Sequence, residues 1–324
     1  MSTATSDRAV AGSGGFRHDA LLYAGERQFV ERTAAFVRDA LEREEPVLVA
    51  VIEPRRSLLR EELGPDAERV EFLDMWNVGR NPARIIPAWQ RWVERHRGSG
   101  RAFRGIGEPI WAQRDPQALV ECQIHEQLLN TAFDGGPGWW LLCPYDIEAL
   151  PDPVITRAHQ THPGVLDGDA HRRSAHYPHG ESAFPAVFAT GLPEPDPARL
   201  LYERRFELDD LAGLREAVQA CARSLGAPEQ RAADLVLVAN ELATNTVRHG
   251  GGNGVLRLWR EGDAAVCEVR DRGVIDDPLV GRRRPDLDAH GGAGVWLANQ
   301  LCDLVQIRSS VDAGTIVRIR VALS

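Results

Sequence analysis

The chain has 324 residues, 43% hydrophobic and 26% charged, and its 38 basic against 47 acidic residues leave a formal charge of −9. All 38 basic residues are arginine; the absence of lysine excludes a P-loop, a Schiff-base lysine and the strand lysine of eukaryotic-type protein kinases. The acidic balance argues against direct nucleic-acid binding, and five scattered cysteines without a C-x-x-C pair suit reduced thiols in a cytoplasmic protein.

At roughly 150 residues per domain the length suggests two domains. Residues 1–15 are small, polar and glycine-rich, lack the apolar core of a signal peptide and read as a disordered leader. The longest apolar run, 46–52, is too short to span a bilayer. From 16 to 164, helical and strand-like segments alternate. Helical spacing over 26–44 runs through Phe29, Val30, Ala34, Phe36, Val37 and Leu41, and an apolar strand over 47–52 closes at Glu53-Pro54. A short helix over 57–63, a strand over 70–73 and a helix over 82–97 follow, the last carrying Ile85, Ile86, Trp89 and Trp92. A third strand, 102–106, ends in Gly107-Glu108-Pro109. Asp115-Pro116 then opens a helix through Phe133, an aspartate N-cap with proline in the first turn. A further strand, 139–143, ends in Pro144-Tyr145-Asp146. Buried strands separated by helices predict an α/β domain whose parallel sheet is covered on both faces.

Residues 165–199, rich in Pro, Gly, His and Asp, read as a linker, and 200–324 as a second domain. There a strand (204–208) leads into two helices (209–225 and 228–249). Strands over 254–260, 264–270, 303–309 and 315–322 follow, interrupted by a glycine-rich loop and a helix over 290–302. Short breaks between strands predict hairpins and a mixed or antiparallel sheet with helices on one face.

The second of these helices ends in a polar face. Glu241, Asn245 and His249 recur at i, i+4 and i+8 beside an apolar stripe of Leu235, Val238 and Leu242. A carboxylate and a carboxamide one turn apart suit a hard cation such as Mg²⁺, or the carboxylate serves as a general base; a solvated face capped by glycine is the alternative. Next, Asp271 extends the apolar row of Ala265, Cys267 and Val269, and Gly273 follows it, so a carboxylate able to accept from an exocyclic amine lies beside an approachable backbone. The run Asp288-Ala289-His290-Gly291-Gly292-Ala293-Gly294 then opens a helix, an arrangement that presents N–H groups to phosphate, with a glycine-rich turn that holds no phosphate as the alternative. Between them, 274–288 reads as a mobile lid in which Arg282, Arg283 and Arg284, with Arg272 nearby, are the candidate cationic contacts. Last, Gly314-Thr315 starts a strand with Thr315 at the buried end of its apolar face.

The order Glu-x-x-x-Asn, Asp-x-Gly, lid, Gly-Gly-x-Gly, Gly-Thr over about 200–324 resembles the histidine-kinase-like ATPase superfamily, and within it the anti-sigma-factor serine kinase branch. The resemblance implies ATP bound in a two-layer α/β sandwich with a mixed sheet, with Mg²⁺ on Asn245 and adenine on Asp271. It further implies Thr315 nearby, Gly273, Gly292 and Gly294 shaping the pocket, and Glu241 as catalytic base. The chain departs from the pattern at Ile275, where the family has a second glycine. Neither His159 nor His162, nor His171, His176 or His179 in linker composition, has the context of a phosphoaccepting histidine on a dimerising helix.

In the first domain, 16–23, 105–109 and 142–146 lie at strand ends with Thr161-His162-Pro163 after them, placed to line one pocket. These motifs resemble the MEDS sensory domain over 16–164, which implies a RecA-like fold without a phosphate loop and a small sensed ligand. Cys122 and His125, at i and i+3, read as a small packed hydrophobe and a simply polar residue rather than metal ligands, and Trp76, Trp89, Trp92, Trp111, Trp139 and Trp140 as core rather than an aromatic site. The expectation is a signal-responsive anti-sigma protein that binds ATP and Mg²⁺. It sequesters a sigma factor or phosphorylates a serine on an anti-sigma-factor antagonist, with a homodimer as one expected state. A non-catalytic ATP-gated binding module and a histidine kinase acting on a separate acceptor are the alternatives.

Overall fold

The run Val47–Val51 (β2) is buried at every position, which a strand achieves only inside a sheet covered on both faces. The structure, a computed structural model, describes residues 15–168, 170–178, 191–285 and 293–324. Its first sheet comprises β1 (Arg17–Tyr23), β2, β3 (Glu71–Asp74), β4 (Arg104–Gly107), β5 (Trp140–Asp146), β6 (Gly164–Asp167) and β7 (Ala170–Arg173). The order is β3-β2-β4-β5-β1-β6-β7, parallel throughout except for the antiparallel pair β6–β7. The intervening helices are α1 (Gly25–Glu42), α2 (Arg55–Leu63), α3 (Met75–Val78), α4 (Ile85–His96), α5 (Pro116–Ala132) and α6 (Asp152–Thr161).

Alternation along the strands sorts the residues into two layers. Leu21, Val49, Ile106 and Leu142 pack with Phe29 and Val37 of α1 and Leu59 of α2 in one core cluster. On the opposite face Gly105 and Gly107 leave room for the Trp89 ring, and a Cβ at Gly105 would lie 2.7 Å from it. Trp89, Trp92 and Trp139 are buried and in mutual ring contact at 5.4–6.2 Å, as core aromatics. The same alternation divides the motifs expected to line one pocket. Tyr23, Glu108 and Asp146 meet Arg55, with the Tyr23 hydroxyl donating to Glu108 at 3.0 Å and Arg55 paired with both carboxylates. His18 and Cys143 meet on the other side, 3.4 Å apart.

The sheet also runs past the expected boundary at 164. Val165 and Leu166 pair with Ala20 and Leu21, and β7 pairs back onto β6. The strand Ala-His-Arg-Arg is an exposed edge with no apolar face, so its composition resembles a linker.

The second sheet comprises β8 (Leu200–Phe206), β9 (Gly254–Glu261), β10 (Ala264–Asp271), β11 (Leu304–Ser310) and β12 (Gly314–Ala322), in the order β11-β12-β10-β9-β8. Its helices are α7 (Leu211–Ser224), α8 (Glu229–His249) and α9 (Ala293–Leu301), and α8 packs on β9, β10 and β12. Every neighbouring pair is antiparallel rather than mixed. The reason is topological. The paired helices α7 and α8 bring the chain back antiparallel to β8, and β12 inserts between β10 and β11, the two strands that share a direction. The face away from α8 is charged: Glu268 is fully buried and accepts from Arg318 (2.6 and 2.9 Å) and Arg270 (2.5 Å).

By packing, the chain divides into two units. The first takes the described residues up to Asn77, with Trp89–Asp115 and Glu126–Tyr177. The second takes Val78–Ala88, Pro116–His125 and the described residues from Pro178 onward. Within this second unit Arg84 donates to the carbonyls of Asn299, Gln300 and Cys302 at 2.6–2.9 Å, satisfying acceptors that the carboxyl end of α9 leaves without helical partners. Among the described residues no helix is long and apolar enough to cross a membrane.

Gly105→Ala should cost about 1–3 kcal/mol through overpacking against the Trp89 ring, measured as a lowered urea midpoint by tryptophan fluorescence. An unchanged midpoint would mean that the ring moves freely aside.

Candidate functional site

Three neighbouring strands of the second sheet each end an apolar row on a polar side chain. The rows Cys267-x-Val269-x-Asp271 on β10, Thr315-x-Val317-x-Ile319 on β12 and Val305-x-Ile307-x-Ser309 on β11 are in register, with Asp271 opposite Thr315 and Thr315 opposite Ser309. Alternation sends these residues to the helix-covered face, so they close one cleft with α8. Its walls are Leu242, Asn245, Thr246, His249, Gly250, Val269, Asp271, Gly273, Val274, Ile275, Val280, Val295, Thr315 and Val317.

Hydrogen bonds fix the polar end. Asp271 Oδ2 accepts from the Thr246 hydroxyl at 2.6 Å, and Oδ1 accepts from the Gly273 N–H at 2.8 Å. Each oxygen has lone-pair capacity left for an incoming donor. The Ile275 N–H donates to Ser309 Oγ (2.9 Å), and the Thr315 hydroxyl donates to the Gly273 carbonyl (2.8 Å). The Ser309 hydroxyl therefore donates to Thr315 Oγ1 across 2.8 Å. This relay anchors both residues flanking Val274, including Ile275, which stands where the family pattern has glycine.

Two glycines let the parts meet. A Cβ at Gly250 would lie 2.4 Å from Asp271 Cγ, and one at Gly314 would lie 2.1 Å from the Asp271 carbonyl. Gly314 also takes φ +73°, a conformation that favours glycine.

The residues anticipated from sequence are placed as follows. Asn245, Asp271, Gly273 and Thr315 line the one cleft. Gly294 on α9 faces Glu241 and Asn245, since a Cβ there would be 3.0 Å from Asn245 Nδ2 and 3.2 Å from Glu241 Oε2. Glu241 thus lies one turn of α8 from the cleft wall, half-buried against α9. Gly292, with 286–291, lies outside the described residues. Arg282 corrects the expectation of a lid cation: it is buried, and desolvation pushes its pKa down. Gly281 at φ +68° turns the chain inward just before it, whereas Arg272, Arg283 and Arg284 are exposed.

Sequence reading missed Thr246, Gly250 and Ser309. Ser309 was legible by the alternation that marks Asp271 and Thr315. Thr246 adjoins Asn245 but turns toward the sheet, a helical phase that the i, i+4 pattern does not report.

Residues 17–163 match the family model for MEDS, a methanogen/methylotroph, DcmR sensory domain, and residues 205–321 match that for the histidine kinase-like ATPase domain. No curated protein matches the chain. An ATPase domain of this family implies ATP binding, with Mg²⁺ as its usual companion. The donor set fits both groups. Asp271 offers a carboxylate to an exocyclic amine between the apolar walls of Val269, Ile275, Val280 and Val295. Asn245 and Glu241 offer the hard oxygens that Mg²⁺ prefers.

Gly250 has φ −94°, which any residue adopts, and the atoms nearest to a methyl there are those of the Asp271 side chain. Gly250→Ala should weaken ATP–Mg binding by calorimetry at least roughly tenfold, the loss of one hydrogen bond to a charged group. Unchanged affinity would remove Asp271 from the binding site.

Proposed function

On the premise that this chain carries a MEDS sensory domain and a histidine kinase-like ATPase domain, we propose that it is a signal-responsive anti-sigma regulator. It binds ATP and Mg²⁺, and it sequesters a sigma factor or phosphorylates a serine on an anti-sigma-factor antagonist when the sensory domain meets a small ligand. The observation that carries the reading is the pairing of the Asp271 clasp at one end of the cleft with Glu241 and Asn245 facing Gly294 at the other.

In this mechanism Asp271 accepts from the adenine amine, and the valine and isoleucine walls exclude water from the ring faces. The Asn245 carboxamide oxygen holds the divalent cation. Bound ATP would supply its γ-phosphoryl group, the bond to the β-phosphate oxygen breaking and ADP leaving, while Mg²⁺ would offset the charge that develops. Glu241, one turn away, accepts the proton of the acceptor serine hydroxyl. The exposed Arg272, Arg283 and Arg284 are the available cations for phosphate oxygens.

Autophosphorylation on histidine finds little support. His162 is buried, and the half-buried His159 and the exposed His171 and His176 lack the sequence context of a phosphoaccepting histidine. A second reading, the ATP-gated binding module, has its own observation. Ile275 lines the cleft where the family pattern has glycine, and Ser309 ties down its N–H, which favours a fixed lid root over a fully mobile one.

Incubation with γ-labelled ATP, an antagonist protein and its sigma factor tests the proposal. Serine label that falls at least roughly 100-fold in Glu241→Gln, with ATP affinity retained, is the expected result; general base removal costs about that much. Binding without transfer would select the gated module, and acid-labile phosphohistidine a histidine kinase.

A further inference from the structure

Between the first sheet and helices α5 and α6, four buried side chains converge on one point: His18 of β1, Glu126 of α5, Cys143 of β5 and His162, which follows α6. Their ligand atoms all lie within 4.8 Å of one another. His18 Nε2 is 3.1 Å and His162 Nε2 3.2 Å from the same oxygen, Glu126 Oε2. Cys143 Sγ is 3.4 Å from His18 Nε2.

The surrounding hydrogen bonds fix both imidazoles. His162 Nδ1 faces the Ala158 carbonyl at 2.9 Å and the Thr161 hydroxyl at 3.0 Å; the hydroxyl itself donates to the Arg157 carbonyl at 3.1 Å, which leaves Nδ1 to donate to Ala158. His18 Nδ1 faces Asn130 Oδ1 at 3.2 Å; the Asn130 amide is oriented by its Nδ2 donating to the Thr161 carbonyl at 2.8 Å, so this Nδ1 is a donor too. With the protons on Nδ1, both Nε2 lone pairs converge with Cys143 Sγ on the same carboxylate oxygen, the arrangement of a ligand set around one point. Acceptors facing an acceptor in a dry core are costly unless a cation lies among them. His162 Nε2 and Glu126 Oε1 have no hydrogen-bond partner.

We propose that these four residues form a closed transition-metal site of the Zn²⁺ class within the sensory domain. Two imidazole nitrogens, a carboxylate oxygen and a thiolate are the donors that Zn²⁺ takes, and bonds of about 2.0–2.3 Å in a tetrahedron give ligand separations of roughly 3.3–3.8 Å. On loading, Cys143 releases its thiol proton to solvent and the sulfur–metal bond forms, so one thiolate and one carboxylate balance the dication. The nitrogens turned away from the site donate to Asn130 and to a backbone carbonyl, an arrangement that holds ligating histidines in orientation. With four protein ligands and no open position the site is structural in type. It ties β1, α5, β5 and the end of α6 together. Cys122 and His125, the i, i+3 pair on α5, stand outside the cluster. The inference is independent of the ATPase reading.

The test uses the full chain expressed in zinc-supplemented medium and assayed by elemental analysis, then prepared with Co²⁺ as a spectroscopic stand-in. About one zinc per chain, tetrahedral Co²⁺ bands and a sulfur-to-cobalt charge-transfer band are expected. That last band should vanish in Cys143→Ser and persist in Cys122→Ser. Substoichiometric zinc with no cobalt bands in the unsubstituted protein would overturn the proposal, as would a charge-transfer band that survives Cys143→Ser. The unsubstituted protein is read first, so a variant that fails to fold leaves the test intact.

Discussion

The second domain is organised around one carboxylate. Asp271 is gripped by a hydroxyl from the helix layer and by a backbone N–H two residues on, and glycine at 250 and 314 lets helix end and neighbouring strand close on it. Each contact is short because something is missing: no Cβ at either glycine, and no apolar side chain where the three rows end. The clasp sets where the helix, the strand end and the residues that follow it meet. Glu241 and Asn245 inherit their placement from the same helix.

Arginine carries every cationic role in this chain, and the structure spends much of it on architecture. Arg318 and Arg270 bond the buried Glu268, Arg84 satisfies the carbonyls at the end of α9, and Arg55 joins Glu108 to Asp146. A planar fork with five donors suits such multiple contacts better than an ammonium group does. A sensory domain and an ATPase domain in one chain make a regulatory ATP-binding protein.

Much of the fold was legible. Apolar runs such as 47–51 and helical spacing such as 29–41 report burial directly, because a strand buried on both faces and an amphipathic helix leave different periods. Asp271 and Thr315 were legible for the same reason, as polar ends of apolar rows. The edge strand β7 was not, since an exposed edge has no apolar face to betray it. The insertion of β12 between β10 and β11 was not either, because it leaves no local signal. The His18, Glu126, Cys143 and His162 cluster is assembled from four elements spread over more than a hundred residues of sequence. The sequence offers the decoy Cys122 and His125 at ligand spacing, while Glu126, adjoining the decoy, points to the sheet.

If Asp271 reads an adenine amine in this cleft, nucleotides with and without that amine must differ in affinity. Calorimetric titration of the full chain with ATP and with inosine triphosphate, each with Mg²⁺, tests it most directly, because the two nucleotides differ where the exocyclic amine is replaced by a carbonyl. ATP should bind, and the inosine nucleotide should bind at least roughly tenfold more weakly, its carbonyl facing a carboxylate that can only accept. Equal affinity for the two, or no binding of either, would contradict it.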